Sequence, residues 1–222
     1  DRDRDETHYS KIVARHYDTT HTEFHVTADH LPSLIQKMVW HYDGPFGDPS
    51  CIPTAMVSKL AKKEVTVALT GDGGDEVFGG YNRFLASLWL ERLPKSILKI
   101  LPLLNITPTL KRLTQASLLA PQDRLTLWTS FFYTDLSQIL HPDLLSLNIP
   151  RDFHYHPYLE ETMGMNPLSK MLYLNLKTYL ADDLNIKMDR ASMMHALETR
   201  SPFLDHPLIE YCASLPDHLL IS

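Results

Sequence analysis

A short apolar run followed at once by glycines and carboxylates constrains this 222-residue chain more than any other feature. The run is "VTVALT", residues 65–70, whose apolar and β-branched residues predict a strand buried on both faces, as in a parallel sheet. The stretch that follows, "GDGGDEVFGG", holds five of the chain's eight glycines. A glycine-rich turn after a buried strand lies at the carboxyl edge of a sheet, where open α/β folds bind ligands. The sequence therefore predicts an α/β fold with a ligand site at this turn.

The segment before this strand alternates between helical and strand patterns. Apolar residues recur at helical spacing over residues 7–17 and 31–42, and a third helix is predicted from Pro53 to about Lys63. The stretch "TEFHVT", residues 22–27, is rich in β-branched residues and predicts a short strand. This order of helices and strands is typical of layered α/β folds with a parallel sheet.

The pattern changes after Tyr81, where leucine-rich helical stretches begin and no convincing strand pattern follows. We therefore predict an α/β portion over residues 1–82 and a largely helical portion over 83–222, both belonging to one domain. The predicted helices of the second portion lie near 83–101, 108–120, 122–132, 166–180, 183–197 and 206–214.

Charge and cysteine content exclude several classes of protein. The chain has 27 acidic and 21 basic residues, a net charge of −6, and lacks the basic surface of a nucleic-acid binder. No apolar run approaches the roughly 20 residues that a membrane-spanning helix needs. Cys51 and Cys212 have neither disulfide-framework nor metal-site spacing. We therefore expect a soluble cytoplasmic protein with no nucleic-acid or membrane partner.

The carboxylates of the glycine-rich loop, Asp72, Asp75 and Glu76, indicate a cation beside a phosphate. Glycines let backbone N–H groups approach phosphate oxygens, whereas carboxylates need a hard cation such as Mg²⁺ to bridge them to phosphate. Crowded carboxylates also shift each other's pKa, so that one of them can act as an acid or base. A nucleotide and metal site is predicted, and a structural turn or a calcium loop is the alternative.

A second group of charged residues lies in "YLADDLNIKMDRASMMHALETRSPFLDH", residues 179–206. In a helix from about residue 183, Asp183, Lys187 and Arg190 share one face. Lys187 and Arg190 form either a solvated salt-bridge ladder or a positive patch that offsets phosphate charge during a transfer reaction. Arg200 precedes a turn fixed by two prolines, and it either points into a site or pairs with a nearby carboxylate.

Three long motifs resemble the synthetase domain of the glutamine-dependent asparagine synthetases: "LTGDGGDEVFGGYNRF", "YLADDLNIKMDRASMMHALETRSPFLDHPLIEYCASLP" and "WHYDGPFGDPSCIPTAMVSKLA". The resemblance runs from about Asp5 to Ser222. It implies an adenine-nucleotide α-hydrolase-like α/β fold of the PP-loop type, whose parallel sheet is incomplete in this chain. It also implies an ATP-dependent amide-forming ligase. In such a ligase, ATP and Mg²⁺ convert the aspartate side-chain carboxylate into an acyl-adenylate, and ammonia from glutamine then displaces AMP to give asparagine.

By motif, the resemblance implies nucleotide contacts for Thr70 and Gly71, and the glycine-rich loop extends the predicted contacts to a run of five residues. These are Thr70, Gly71, Asp72, Gly73 and Gly74. Asp72 stands where relatives have Glu or Asp near the acyl-adenylate, so the resemblance makes it a catalytic residue that handles a proton as ammonia attacks.

The resemblance also implies residues that hold the metal. Asp75 resembles the aspartate that helps hold Mg²⁺, and Glu76 is the neighbouring acid assigned to the same metal. From their charge, Lys187 and Arg190 are predicted to join Asp72 as catalytic residues.

The loop at residues 43–53 contains "FGDPSCIPT", which resembles the region lining the amino-acid pocket of the family. The resemblance therefore implies that Asp48 and Ser50 line the substrate pocket, and Arg200 is predicted to join them if its turn points it inward. Asparagine-forming relatives often place an arginine near the position of Asp48 to bind a substrate carboxylate. Because Asp48 is an acid, the acceptor is either aspartate or another carboxylate. A related ligase would amidate a sugar acid or a peptide, or would close a peptide to a lactam.

Two parts of the family's enzyme are not found in this chain. The pyrophosphate loop, of sequence SGGxDS, is expected before Asp1, and the glutaminase half with its N-terminal cysteine nucleophile is also absent. We therefore expect an internal excerpt that is inactive alone, with a catalytically inactive domain of the same fold as a further alternative. The expected partners are ATP, aspartate or a similar acid, and ammonia from a glutaminase domain, and a homodimer is compatible with them.

Overall fold

The computed structural model describes residues 7–23, 31–100, 108–129, 140–145 and 153–221. The chain forms two compact units, Asp1–Pro45 and Phe46–Ser222. The functional division of the chain at residue 82 stays a prediction. No helix within the described ranges is both long enough and apolar enough to cross a lipid bilayer.

Among its described residues, the N-terminal unit contains two helices, α1 (Thr7–His16) and α2 (Leu31–Tyr42). Both were predicted from the spacing of their apolar residues, and both are confirmed to within one residue. The strand predicted at residues 22–27 lies largely outside the described residues.

Helices dominate the larger unit, as the leucine-rich pattern predicts. Its α-helices are α3 (Cys51–Ala61), α4 (Gly74–Phe78), α5 (Asn82–Arg92), α6 (Lys95–Ile100), α7 (Pro108–Ala116), α8 (Pro121–Thr129), α9 (Pro142–Leu145), α10 (Pro167–Asn175), α11 (Asn185–Met193), α12 (His206–Ala213) and α13 (Asp217–Leu220). Four of these helices begin at a proline, whose fixed φ suits the first helical position and whose missing N–H would have no helical partner there.

A parallel pair of three-residue strands, β1 (Val67–Leu69) and β2 (Glu198–Arg200), forms the sheet of the described residues. The parallel sheet predicted after the apolar run is confirmed, whereas its assignment to the adenine-nucleotide α-hydrolase-like fold stays a prediction. The expectation that residues 83–222 contain no strand is wrong. A three-residue strand with the sequence "ETR" is too short and too polar to show an alternating pattern, and only its pairing with β1 reveals it.

The expectation that the β1 strand is buried on both faces is also wrong. Val67 is 39% exposed and Leu69 is 73% exposed. Successive side chains of a strand point to opposite faces, so these two residues project from the same face. Within the described residues β1 pairs with β2 alone, and this face of the strand is not covered.

The core of the larger unit lies among α5, α8 and α10. It is formed by Phe84, Leu125, Tyr155, Leu168, Met171, Leu172 and Leu174, each less than 9% exposed. Burial of these side chains holds α10 in place, and α10 begins the helical segment that carries the charged residues of the second motif.

Two helices predicted at 166–180 and 183–197 are one continuous helical segment. A π-helix (Leu176–Leu184) joins α10 to α11 without a break. The segment ends at Met193, before the predicted end at 197, because Ala196 has a φ of 55° and β2 starts two residues later. π-helical turns are rare and occur often at functional sites.

Phe84 is a test of this core because its side chain is fully buried. We expect Phe84→Ala to lower the free energy of unfolding by about 3–5 kcal/mol, since it removes apolar contacts and leaves a cavity. Leu219, which is 63% exposed, provides the control, and Leu219→Ala is expected to change the stability by less than about 0.5 kcal/mol. Urea unfolding followed by circular dichroism measures both values, and equal losses would contradict the core described here.

Candidate functional site

The pairing of β1 with β2 brings the glycine-rich loop next to the segment that follows β2. Leu69 lies opposite Arg200 in the register, and the N–H of Thr70 donates to the carbonyl of Arg200 at 2.9 Å. Because the strands are parallel, both segments leave the sheet at the same carboxyl edge. Open α/β folds bind ligands at this edge.

The glycine-rich loop packs on a short 3₁₀-helix, Pro202–Leu204. Gly73 has a φ of +85°, and a Cβ at this position would lie 2.2 Å from Cδ2 of Leu204. A Cβ at Gly74 would contact the ring of Phe203 at 3.5 Å. The geometry therefore requires Gly73 for backbone packing, and the nucleotide contacts of both glycines stay predictions.

Ser201 also holds the loop, because its hydroxyl donates a hydrogen bond to the backbone carbonyl of Asp72. Sequence reasoning did not single out this serine. The one available signal is its position directly after β2, which is itself not evident from the sequence.

Gly71 and Asp72 leave groups of the loop open to a ligand. No described residue beyond the chain neighbours of Gly71 has an atom within 4 Å of where its Cβ would lie. The Oδ2 atom of Asp72 is buried and has no hydrogen-bond partner among the described residues. Buried polar atoms in native proteins are nearly always paired, so this oxygen favours a donor or a cation brought by a ligand.

Asp75 is exposed and lies against the turn that ends α4. A Cβ at Gly80 would lie 2.1 Å from Oδ1 of Asp75, so the carboxylate reaches across the bare backbone of this glycine. In the part of the chain that the structure describes, no three His, Cys, Asp or Glu side chains converge as a metal site. A cation at Asp75 would therefore need further ligands beyond a cluster of the described side chains.

Glu76 lies in the interior, 2% exposed, where its carboxylate accepts a hydrogen bond from the hydroxyl of Tyr81. Burial, followed by this bond to Glu76, raises the pKa of Tyr81, so the phenol stays protonated and donates. Glu76 also lines a cavity of about 390 Å³ whose other walls include α10 and α12. The role of Glu76 as a metal ligand stays a prediction. Of the two adjacent acids Asp75 and Glu76, Asp75 is the exposed one.

Asp48, Ser50 and Lys187 are brought together where α3 packs against α11. The Nζ of Lys187 lies 3.2 Å from Oδ2 of Asp48, and both side chains are largely buried. The N–H and hydroxyl of Ser50 each donate to Asp48 at 2.8 Å. Burial alone would raise the pKa of Asp48, but the bonds from Ser50 and the charge of Lys187 outweigh it and lower this pKa.

Asp183 lies close to the same ion pair, in the π-helix one turn before Lys187. Burial, and then repulsion from the Asp48 carboxylate, raise the pKa of Asp183, and the ammonium of Lys187 offsets part of the shift. Asp183 lines a cavity of about 310 Å³. Its other lining residues are Thr126, Thr129, His154, Tyr155, Thr178, Tyr179 and Asp182.

The two predicted arginines differ in their surroundings. Arg190 is half-buried on α11, three residues after Lys187. Arg200 has a 66% exposed side chain, and its Nε and Nη2 both donate to Oε1 of Glu198 at 2.7 Å. The structure thus pairs Arg200 with a neighbouring carboxylate, which is one of the two alternatives from the sequence. Its role in a substrate pocket stays a prediction.

Arg83 joins the loop side of the site to the long helical segment, and sequence reasoning missed it. Its guanidinium carbon lies 3.8 Å from the ring centre of Tyr81 and 4.9 Å from that of Tyr179. Its Nη2 donates to Oδ1 of Asn175 at 2.9 Å. These contacts tie α5, which follows the glycine-rich loop, to the junction between α10 and the π-helix.

The comparisons with known proteins point to one family. The sequence model of the family described as asparagine synthase matches residues 1–222. The chain is 33% identical over 207 residues to asparagine synthetase (glutamine-hydrolyzing) 1 of Bacillus subtilis (strain 168), covering 87% of this chain and 32% of that protein. It is 34% identical over 198 residues to putative asparagine synthetase (glutamine-hydrolyzing) 2 of Methanocaldococcus jannaschii, covering 86% and 38%.

A third relative, a putative asparagine synthetase (glutamine-hydrolyzing) of Mycobacterium tuberculosis (strain ATCC 25618 / H37Rv), is 30% identical over 204 residues. The match covers 86% of this chain and 30% of that protein. The chain therefore spans about a third of the length of the curated relatives it matches.

The raised pKa of Asp183 predicts a pH-dependent effect on stability. Because the folded-state pKa lies above the ordinary value of 3.8, the carboxyl group lowers the stability as the pH rises above about 3.8, and the loss is complete above the folded-state pKa. We expect Asp183→Asn to raise the melting temperature near neutral pH, and we expect the gain to vanish as the pH falls below about 3.8. Calorimetry between about pH 3 and pH 8 measures this difference.

Asp182→Asn removes a carboxylate from the neighbouring, exposed position and is the control for that experiment. A gain for Asp183→Asn that stays constant across the pH range would contradict the charge environment described for this residue.

Proposed function

The chain belongs to the asparagine synthase family, and from that premise we propose that it supplies part of the active site of an ATP-dependent amide-forming ligase. The proposed reaction activates the side-chain carboxylate of aspartate with ATP as an acyl-adenylate. Ammonia derived from glutamine then displaces AMP and forms asparagine. The proposal concerns the full-length protein. In that protein a glutaminase domain is the expected source of ammonia.

The observation that carries the proposal is the unpaired, buried Oδ2 of Asp72 beside the open backbone of Gly71. A ligand that brings a hydrogen-bond donor or a cation satisfies this oxygen, whereas without one it costs roughly 1–3 kcal/mol. Ammonia entering near Asp72 becomes an ammonium group as it attacks a carbonyl carbon. A carboxylate at this position can accept the proton that must leave.

The acidic loop residues also fit Mg²⁺ bound together with nucleotide phosphates. Mg²⁺ usually takes one or two protein carboxylates, and substrate phosphates and waters fill its other positions. The exposed carboxylate of Asp75 meets that requirement, and Asp72 and Glu76 are the other carboxylates of the loop. When bound, the cation would neutralise negative charge on the departing pyrophosphate.

Positive charge on α11 supports the same chemistry. Lys187 and Arg190 lie within one turn of the helix, and α11 follows the π-helix directly. We propose that they offset the negative charge that develops on the phosphate during adenylate formation.

A second candidate function differs in the acceptor acid. Asp48 stands in the loop that resembles the amino-acid pocket, and it is an acid paired with Lys187 rather than a base able to bind a substrate carboxylate. This pairing favours, as the second candidate, a related ligase that amidates or cyclises another carboxylate. A catalytically inactive domain of the same fold is the outcome if no acid is activated.

Pyrophosphate release from ATP and Mg²⁺ tests the reaction. We expect the full-length protein to release pyrophosphate when an acceptor acid is added, and we expect Asp75→Ala to lower this rate at least about 100-fold, because one ligand of the cation is lost. A scan of aspartate against sugar acids and peptide acids identifies the acceptor. Release with aspartate supports asparagine synthesis, release with another acid alone supports the second candidate, and no release with any acid contradicts both.

Two glycine substitutions separate ligand contact from packing. Gly71→Ala meets no described atom within 4 Å, so we expect an unchanged melting temperature and a KM for ATP raised about tenfold or more, because a nucleotide at the loop would meet the new methyl group. Gly73→Ala meets Leu204 and has a φ of +85°, so we expect a loss of stability of about 1–3 kcal/mol. A Gly71→Ala protein with wild-type KM for ATP would contradict nucleotide binding at this backbone.

A further inference from the structure

We propose, on the basis of the ligase function above, that Asp48 is a positioning residue that fixes the ammonium group of Lys187 at the candidate site. Asp48 acts through Lys187 and does not itself contact the acceptor acid. Asp48, the acid found where relatives often have an arginine, would therefore serve the reaction through Lys187.

Both carboxylate oxygens of Asp48 already have partners within the chain. Oδ1 accepts the backbone N–H of Ser50 at 2.8 Å, and Oδ2 accepts the Ser50 hydroxyl at 2.8 Å. The Nζ of Lys187 lies 3.2 Å from the same Oδ2. A carboxylate engaged in this way holds its partners and has little capacity left to bind a substrate.

Ser50 and the start of α3 hold Asp48 in turn. Ser50 precedes the first residue of α3, and its carbonyl accepts the hydroxyl of Thr54 at 2.8 Å, one turn into that helix. The position of Asp48 is therefore set by the N-terminal end of a helix, where the backbone N–H groups also favour a negative charge.

Burial makes this ion pair a restraint on Lys187 and not a loose surface contact. The side chains of Lys187 and Asp48 are 11% and 17% exposed, whereas those of the comparable pair Lys11 and Glu23 are 46% and 29% exposed at a similar distance of 3.1 Å. A long lysine side chain has several rotatable bonds, and a buried ion pair with Asp48 restricts that freedom. Removing Asp48 leaves the largely buried ammonium of Lys187 without this opposite charge, which is unfavourable.

Asp183 completes the charge environment that Asp48 and Lys187 create. It interacts electrostatically with both of them, so Lys187 is influenced by two carboxylates, one from the loop and one from its own helical segment. With Asp48 removed, the carboxylate of Asp183, which lines a cavity of about 310 Å³, still attracts the ammonium of Lys187. We therefore expect the loss of Asp48 to change the position of the lysine charge.

The alternative is that the pair only braces α3 against α11. Both helices pack together closely, and an ion pair at their contact can serve stability alone. The two roles differ in what the loss of Asp48 changes. Loss of a brace lowers the melting temperature, whereas loss of a positioning residue lowers the turnover of a protein that remains folded.

Asp48→Asn in the full-length protein is the decisive variant, because asparagine keeps the shape and one acceptor oxygen for Ser50 but removes the charge. We expect kcat for acid-dependent pyrophosphate release to fall about 10- to 100-fold while the KM for ATP changes less than about twofold. We expect Asp48→Glu, which restores the charge, to recover part of the lost kcat. A fall in melting temperature with unchanged kcat would overturn the proposal in favour of the brace.

Chemical labelling of Lys187 provides a measurement that does not depend on activity. Acetic anhydride labels accessible amines, and mass spectrometry quantifies the product at each lysine. We expect Asp48→Asn to raise the labelling rate of Lys187 several-fold, because the ammonium leaves its buried partner. Glu23→Gln, which removes the acid of the comparable pair with Lys11, is the control and is expected to leave kcat and the labelling of Lys187 unchanged.

The two measurements distinguish failure of this inference from failure of the ligase proposal. Unchanged labelling of Lys187 in Asp48→Asn overturns the positioning role whatever the activity of the protein. If the wild-type protein releases no pyrophosphate with any acid, the ligase proposal fails and takes the catalytic part of this inference with it. Raised labelling in that case shows that Asp48 restrains Lys187 without serving a reaction.

Discussion

The backbone hydrogen bonds between β1 and β2 are the constraint on which the candidate site depends. Each strand has only three residues, yet their parallel register places Leu69 beside Arg200 and turns both following segments to one edge. Without this pairing Ser201 would not reach the carbonyl of Asp72, and the 3₁₀-helix would not lie under Gly73. So short a sheet has little stability of its own. Packing of the surrounding helices must therefore hold the two strands together.

The helical segment formed by α10, the π-helix and α11 supplies that packing and also carries the charges. Its first part is anchored in the apolar core through Leu168, Met171 and Leu174. Its last part packs on α3 and presents Lys187 to Asp48. One helical segment therefore links the apolar core to the position of Lys187. The π-helix lies between the part in the core and the part that carries this lysine.

The sequence predicted those features that depend on local pattern, and it failed for those that depend on distant partners. Apolar spacing located α1, α2, α12 and most other helices, and the run before Gly71 located β1. The strand β2 was missed because Glu198, Thr199 and Arg200 show no apolar alternation, and only pairing makes them a strand. The π-helix was missed because α- and π-helical turns share the same residue preferences. Of the candidate site, the residue types were predictable, but the pairing of Asp48 with Lys187 joins two segments that no local pattern relates.

Two glycines of the loop are explained by packing, whereas the carboxylate of Asp72 is not. Gly73 and Gly80 are required by close contacts with Leu204 and with Asp75, so an inactive domain of the same fold would need them as much as an enzyme does. The unpaired Oδ2 of Asp72 contributes nothing to packing, and a buried carboxylate oxygen without a partner lowers stability by about 1–3 kcal/mol or more. Such a cost is expected where a ligand supplies the missing partner, as at functional sites that retain local strain. The carboxylate of Asp72, more than the density of glycine, is therefore the feature of the loop that supports the proposed binding of a ligand.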